Sequence, residues 1–80
     1  MSDDIVVKPN HYCRWEIEPI TLILQNDMEF WRGNIVKYAS RAGFKLYENQ
    51  NSSQSEITDL KKVMRYCEMR IEEIKRNEEM

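Results

Sequence analysis

Eighty residues carry 12 Lys and Arg against 14 Asp and Glu, with two Gly, two Pro, two Cys and one His. A chain this short forms one domain, hides only about 60% of its unfolded surface, and tends to need a disulfide, a metal or a partner subunit. Two cysteines are too few for a disulfide scaffold, and one His with two Cys cannot fill a four-ligand zinc site without carboxylates, so association with another chain is the expected support.

Residues 1–5 are expected to form a flexible tail, 6–77 a single helical domain, and 78–80 a C-terminal tail. Within 5–15, Val6 and Val7 favour extended backbone, and Pro9 biases Lys8 away from the helical region. This segment is predicted to be an extended arm that packs its aromatic residues on the rest of the fold. Glu18-Pro19 opens a first helix, because proline suits the first helical position. Ile20, Ile23 and Leu24 share one face, and Asn26-Asp27 is expected to end this helix and cap the next. A second helix is predicted from about Met28 to Ala42, with Trp31, Ile35, Tyr38, Ala39 and Ala42 as its apolar stripe. Gly43 is a natural left-handed terminator, with Phe44 folding back onto the last turn. Gly33 inside this helix costs about 1 kcal/mol relative to Ala, which implies close approach by a neighbouring helix, a partner or a ligand.

Leu46 to Ser52 is polar and predicted to be mobile. Ser53-Gln54-Ser55-Glu56 then reads as a capping box opening a long third helix over about 54–77. Ile57, Leu60, Met64, Cys67, Ile71 and Ile74 alternate steps of three and four, filling six successive a and d positions of a heptad. Val63, Tyr66 and Arg70 form a weaker second stripe. A helix with two such faces is expected to meet more than one neighbour.

The chemistry concentrates in the middle of the chain. Residues 29–47 hold Arg32, Lys37, Arg41 and Lys45 against Glu29, although the whole chain carries −2. Asn34, Lys37 and Arg41 fall at i, i+3 and i+7, within about 60° on the helical wheel. They lie apart from the apolar stripe and read either as a phosphate clamp or as a solvated face. His11 is a candidate acid–base or hydrogen-bonding group, or a structural histidine. Tyr12, Trp15, Trp31 and Tyr38 read as base-stacking rings or as packing residues. Asp59, followed by Lys61 and Lys62, reads as a charge near the start of a helix that forms an ion pair, or as a metal ligand or base. No phosphate loop, dinucleotide turn, paired-His metal site or nucleophile elbow is present.

Four blocks carry a family resemblance: Pro9-Asn10-His11-Tyr12; Ile17-Glu18-Pro19-Ile20; Gly33-Asn34 through Lys37-Tyr38, Arg41 and Gly43 to Lys45; and Asp59-Leu60-Lys61-Lys62 with Tyr66. Together they resemble the small bacteriophage family known as phage nucleotide kinase-like, or SaV-like, over about residues 6–68. The block G-N-x-x-K-Y-x-x-R-x-G-x-K is its specific part. Val63 stands where that family has a small residue, and Arg14-Trp15 where a glycine commonly follows the His-Tyr pair. The resemblance implies a phage protein with a helical fold and a nucleotide ligand, ATP or another. It implies a site drawn from His11, Tyr12, Asn34, Lys37, Tyr38, Arg41, Lys45, Asp59 and Lys62.

The combined expectation is an all-α domain of three helices with an extended N-terminal arm and a long C-terminal helix. It self-associates through Ile57, Leu60, Met64, Cys67, Ile71 and Ile74. It binds a nucleotide or phosphate and, by resemblance, transfers phosphate to a nucleoside monophosphate. Two other classes stay open: a non-catalytic effector that sequesters a nucleotide signal of host defence, and an interaction module acting on a host protein. No metal, membrane or nucleic-acid partner is expected. No apolar run nears the roughly 18 residues of a membrane span, and Met1-Ser2-Asp3-Asp4 has no apolar signal core. The expected location is the cytoplasm of an infected host cell, where Cys13 and Cys67 are read as thiols.

Overall fold

A computed structural model describes residues 14–79, which form three helices with no strand among the described residues: α1 (Pro19–Gln25), α2 (Phe30–Arg41) and α3 (Ser52–Glu79). The all-α architecture agrees with the periodicity. The expected arm and tail before residue 14 lie outside the described residues. No described helix is long and apolar enough to cross a membrane.

Proline opens α1 at its first helical positions, behind Glu18 in extended backbone, where the missing N–H costs nothing. The helix closes on a Schellman motif. Asp27 takes φ 49°, and the Asp27 and Met28 amides donate to the Leu24 and Ile23 carbonyls at 3.3 and 3.1 Å. Asp tolerates this left-handed conformation through its short polar side chain. The Asn26 amide also donates back to the Leu22 carbonyl at 2.9 Å. Asn26 and Asp27 therefore terminate α1 and do not cap α2. The residue before α2 is Glu29, which makes no side-chain cap and pairs instead with Arg32 at 2.7 Å. That hydrogen bond holds the Glu29 carboxyl below its ordinary value.

Gly33 is buried, and a Cβ there would stand 3.0 Å from Ile23 Cγ2. The close approach implied by this glycine is thus made by a neighbouring helix, α1. At the other end of α2, Gly43 takes φ 89° and the Phe44 amide donates to the Arg41 carbonyl at 2.9 Å. With Ala42 at φ −56°, ψ 127°, this is a type II turn, whose third position requires a positive φ. Phe44 receives the Trp15 ring edge-on at 6.0 Å. The Trp15 indole donates to the Ser40 carbonyl in the last turn of α2 at 3.1 Å. This much of the expected aromatic packing by the arm falls within the described residues.

Residues 46–51 are tied down at three points, contrary to the mobile loop expected. The Tyr47 amide donates to Ser55 Oγ at 2.9 Å, and Thr58 donates to Gln50 Oε1 at 3.0 Å. Asn51 and Gln54 exchange side-chain-to-backbone hydrogen bonds at 2.7 and 2.8 Å. That reciprocal pair is the capping box of α3. It starts two residues before the expected Ser53, which leaves the Ser55 hydroxyl free for Tyr47.

α2 packs on both other helices, and most extensively on α3. The contact with α3 uses the weaker stripe. Tyr66 stacks on Tyr38 at 6.2 Å and meets Phe30 edge-on at 5.9 Å, and Arg70 lies over Trp31 at 5.4 Å. Of the stripe expected on α2, Trp31, Ile35, Tyr38 and Ala42 are half-buried, whereas Ala39 is exposed. No hydrophobic residue is fully buried among those described. The most enclosed side chains are Asp59 and Ser55, both at 0% exposure, and Arg41 at 6%. The thin core expected from the length is therefore polar at its centre. The heptad residues Ile57, Leu60, Met64, Cys67, Ile71 and Ile74 are all exposed.

Candidate functional site

The polar centre is built by three elements. α2 supplies Arg41 from its last turn, α3 supplies Ser55, Asp59 and Lys62, and the segment between them supplies Tyr47. Ser55, Asp59 and Lys62 fall at i, i+4 and i+7, so one face of α3 carries all three. The Gly43 turn and the Asn51 cap fold the intervening chain so that Tyr47 lies across this face.

Arg41 reaches Asp59 as a fork, with Nη2 to Oδ1 at 3.0 Å and Nε to Oδ2 at 3.4 Å. The Tyr47 hydroxyl donates to Asp59 Oδ1 at 2.5 Å and accepts from Arg41 Nη2 at 2.5 Å and Lys62 Nζ at 2.9 Å. A hydroxyl donating to a carboxylate is expected to be this short. Burial works against the Arg41 charge, but the hydrogen bond to Asp59 and then its negative charge outweigh burial and raise the guanidinium pKa. Arg41, read from sequence as part of a phosphate clamp or a solvated face, is instead enclosed and paired with Asp59. Arg41 and Tyr38, three residues apart, both turn toward α3, and the guanidinium lies 4.7 Å from the Tyr38 ring.

The lysines gather around the two tyrosine rings. Lys62 Nζ sits 4.8 Å from the Tyr38 ring and 4.7 Å from the Tyr47 ring. Lys45 Nζ is 4.7 Å from the Tyr47 ring, and Lys37 Nζ is 5.2 Å from the Tyr38 ring. The negative ring faces attract each ammonium, typically by about 0.5–1 kcal/mol at exposed sites. Four cations thus gather around the two tyrosine rings; the Asp59 carboxylate among them is enclosed, Glu56 lies against Gly43, and Glu18 lines a cavity with Lys37. Among the described residues, the Lys37 and Lys45 ammoniums have no hydrogen-bond acceptor.

Of the residues picked out from sequence, the structure brings together Lys37, Tyr38, Arg41, Lys45, Asp59 and Lys62. Asn34 turns away from the tyrosines. Its amide donates to the Phe30 carbonyl at 2.8 Å, and it borders the groove between α1 and α2 with Ile20, Ile23 and Lys37. His11 and Tyr12 lie outside the described residues. Asp59 fills the ion-pair role, and at 0% exposure it offers no open oxygen to a substrate. Sequence reasoning missed Tyr47 and Ser55. The available signal for Tyr47 was a lone aromatic in a polar stretch, flanked by the turn glycine and the α3 cap.

Chemically, ammonium groups gathered on tyrosine rings are suited to an anion, and the buried Arg41–Asp59 pair holds the Tyr47 hydroxyl. Among the described residues, no group of three His, Cys, Asp or Glu stands close enough to hold a metal ion. Residues 6–68 match the model of a family described as a protein of unknown function (DUF3310). No curated protein and no solved structure matches the chain.

Proposed function

We propose that this chain, which belongs to the DUF3310 family, binds a nucleotide through its phosphates at the tyrosine–lysine cluster. The observation that carries this reading is the gathering of cations: Lys37, Arg41, Lys45 and Lys62 surround Tyr38 and Tyr47, and Asp59, the carboxylate that Arg41 pairs with, is buried away from them. Lys37, Lys45 and Lys62 hold the phosphate oxygens, and Arg41 holds Tyr47 in place from beneath. The resemblance to phage nucleotide kinase-like proteins supports a nucleotide over inorganic phosphate, and a role in the cytoplasm of an infected cell.

Phosphate transfer to a nucleoside monophosphate is the enzymatic form of this proposal, and sequestration of a nucleotide is its non-catalytic form. The closed position of Asp59 favours sequestration, because a general base must lie within hydrogen-bond reach of the proton it takes. Thermal shift and titration calorimetry with inorganic phosphate, AMP, ADP and ATP, with and without Mg²⁺, test the binding. The nucleotides are expected to stabilise the protein, and Lys45→Ala is expected to weaken them about tenfold, one charge-assisted contact. Absence of any shift, or a Lys45→Ala variant that binds like the parent, overturns the reading. ADP produced from ATP and AMP by the parent, and lost in Lys37→Ala, would instead select the enzymatic form.

A further inference from the structure

The outer face of α3 is the largest feature that the anion site leaves unused. Ile57, Leu60, Met64, Ile71 and Ile74 are 50, 45, 60, 51 and 41% exposed, and the exposed Cys67 carries a free thiol. They form one stripe about 26 Å long at 1.5 Å per residue. We infer that this stripe pairs with the same stripe of a second copy, the two α3 helices running antiparallel.

The self-complementarity of the stripe chooses a second copy. In an antiparallel pair centred between Met64 and Cys67, Ile57 faces Ile74 of the copy, Leu60 faces Ile71, and Met64 faces Cys67. The two-fold axis repeats every layer, as an isologous contact requires.

The flanking charges choose the direction. Lys61 and Glu68 occupy the e positions, which face each other across an antiparallel pair. Lys61 then meets Glu68 of the copy twice, and Val63 and Arg70 face each other on the other flank without a like-charge pair. In a parallel, in-register pair the g and e positions meet instead, so Glu56 opposes Lys61, Val63 opposes Glu68, Arg70 opposes Lys75, and Cys67 opposes itself. Each direction offers two opposite-charge pairs, and the parallel one adds the Arg70–Lys75 repulsion, which the antiparallel one avoids. Lys61 and Glu68 are exposed and lie off the face that holds α2; the exposed Arg65 stands 3.7 Å from Glu68 within the chain, a solvated pair that Lys61 of the copy would join.

Sedimentation equilibrium of the full chain across micromolar concentrations tests this proposal, with far-UV circular dichroism as the control for folding. The parent is expected to be a dimer, and Met64→Lys a helical monomer. Glu68→Lys is expected to weaken the dimer about tenfold, and Lys61→Glu combined with Glu68→Lys to restore it. Oxidation of a Cys13→Ser variant is expected to leave Cys67 uncrosslinked. A parent that stays monomeric at hundreds of micromolar, a charge swap that fails to restore pairing, or efficient Cys67 crosslinking would each overturn it.

Discussion

The two long faces of α3 are opposites. The inner face presents Ser55, Asp59, Lys62, Tyr66 and Arg70 to α2 and to Tyr47, and makes its contact through hydrogen bonds, an ion pair and rings. The outer face presents Ile57, Leu60, Met64, Cys67, Ile71 and Ile74, all exposed, and makes no comparable contact among the described residues. The difference separates two jobs that a core usually combines. Apolar burial supplies a large but undirected driving force, whereas a buried polar network supplies geometry and is costly when incomplete. Here the protomer uses its geometric face internally and leaves the undirected face outward. The polar face can therefore hold Tyr38, Tyr47 and the lysines in fixed positions, as an anion site needs.

The comparison breaks most visibly at Asp59. Asp59→Asn leaves the Arg41 guanidinium enclosed without a counter-charge, a change that typically costs about 3–5 kcal/mol. In a domain of this size that lowers Tm by at least about 10 °C, readable by circular dichroism melting. Replacing both partners with apolar residues, Arg41→Met with Asp59→Leu, is expected to recover much of the loss, because well-packed apolar side chains often match a buried ion pair. That double variant sharpens the point: it should melt near the parent yet lose nucleotide binding, because nothing then orients Tyr47 and Lys62. A single Asp59→Asn variant with an unchanged Tm would show that the polar face does not hold the fold.

Tyr47→Phe is the next largest. It keeps the ring that Lys45 and Lys62 face and removes only the hydroxyl that bridges Asp59, Arg41 and Lys62. Leaving buried charged groups one partner short costs about 1–3 kcal/mol. Urea denaturation is expected to show a lower midpoint with an unchanged slope, because the surface exposed on unfolding stays the same. A changed slope would mean instead that the segment around Tyr47 had detached from α3.

The outer face was more legible in the sequence than the inner one, for a physical reason. Hydrophobic periodicity registers where apolar side chains recur, so it found α3 and marked Ile57 to Ile74 as a seam. It registered Tyr66 and Arg70 only as a weaker stripe, and it did not register Ser55, Asp59 and Lys62, which share that face at the same spacing but carry polar groups that usually face water. Arg41 was read as part of a phosphate clamp or a solvated face, apart from the apolar stripe, although its neighbour Tyr38 turns the same way. Pro19 and Gly43 were readable because each fits a backbone conformation that few residues favour. Gly33 announced a close approach, and the structure identified α1 as the neighbour. Asn26 and Asp27 were misassigned because the residues that cap one helix also terminate another, and only the left-handed Asp27 separates the two roles. Tyr47 was lost in a polar run because long-range partners leave no local periodicity.

The smallest expected effect lies on the outer face of the isolated protomer. A half-exposed Met64 changed to Ser alters only surface groups there, and such changes usually stay within about 0.5 kcal/mol. At low micromolar concentration or below, once the pair has dissociated, Met64→Ser and the parent should melt together. At high concentration they should part. Pairing stabilises the folded chain by mass action, so the parent Tm rises with concentration while that of Met64→Ser stays flat. Melting both proteins at 5 µM or less and near 500 µM separates the two faces of α3 in one experiment. The inner face sets the common low-concentration Tm, and the outer face sets the slope. A parent whose Tm ignores concentration would assign all of the stability to the polar face. A Met64→Ser variant that melts early even when dilute would show that the two faces share a load within one chain.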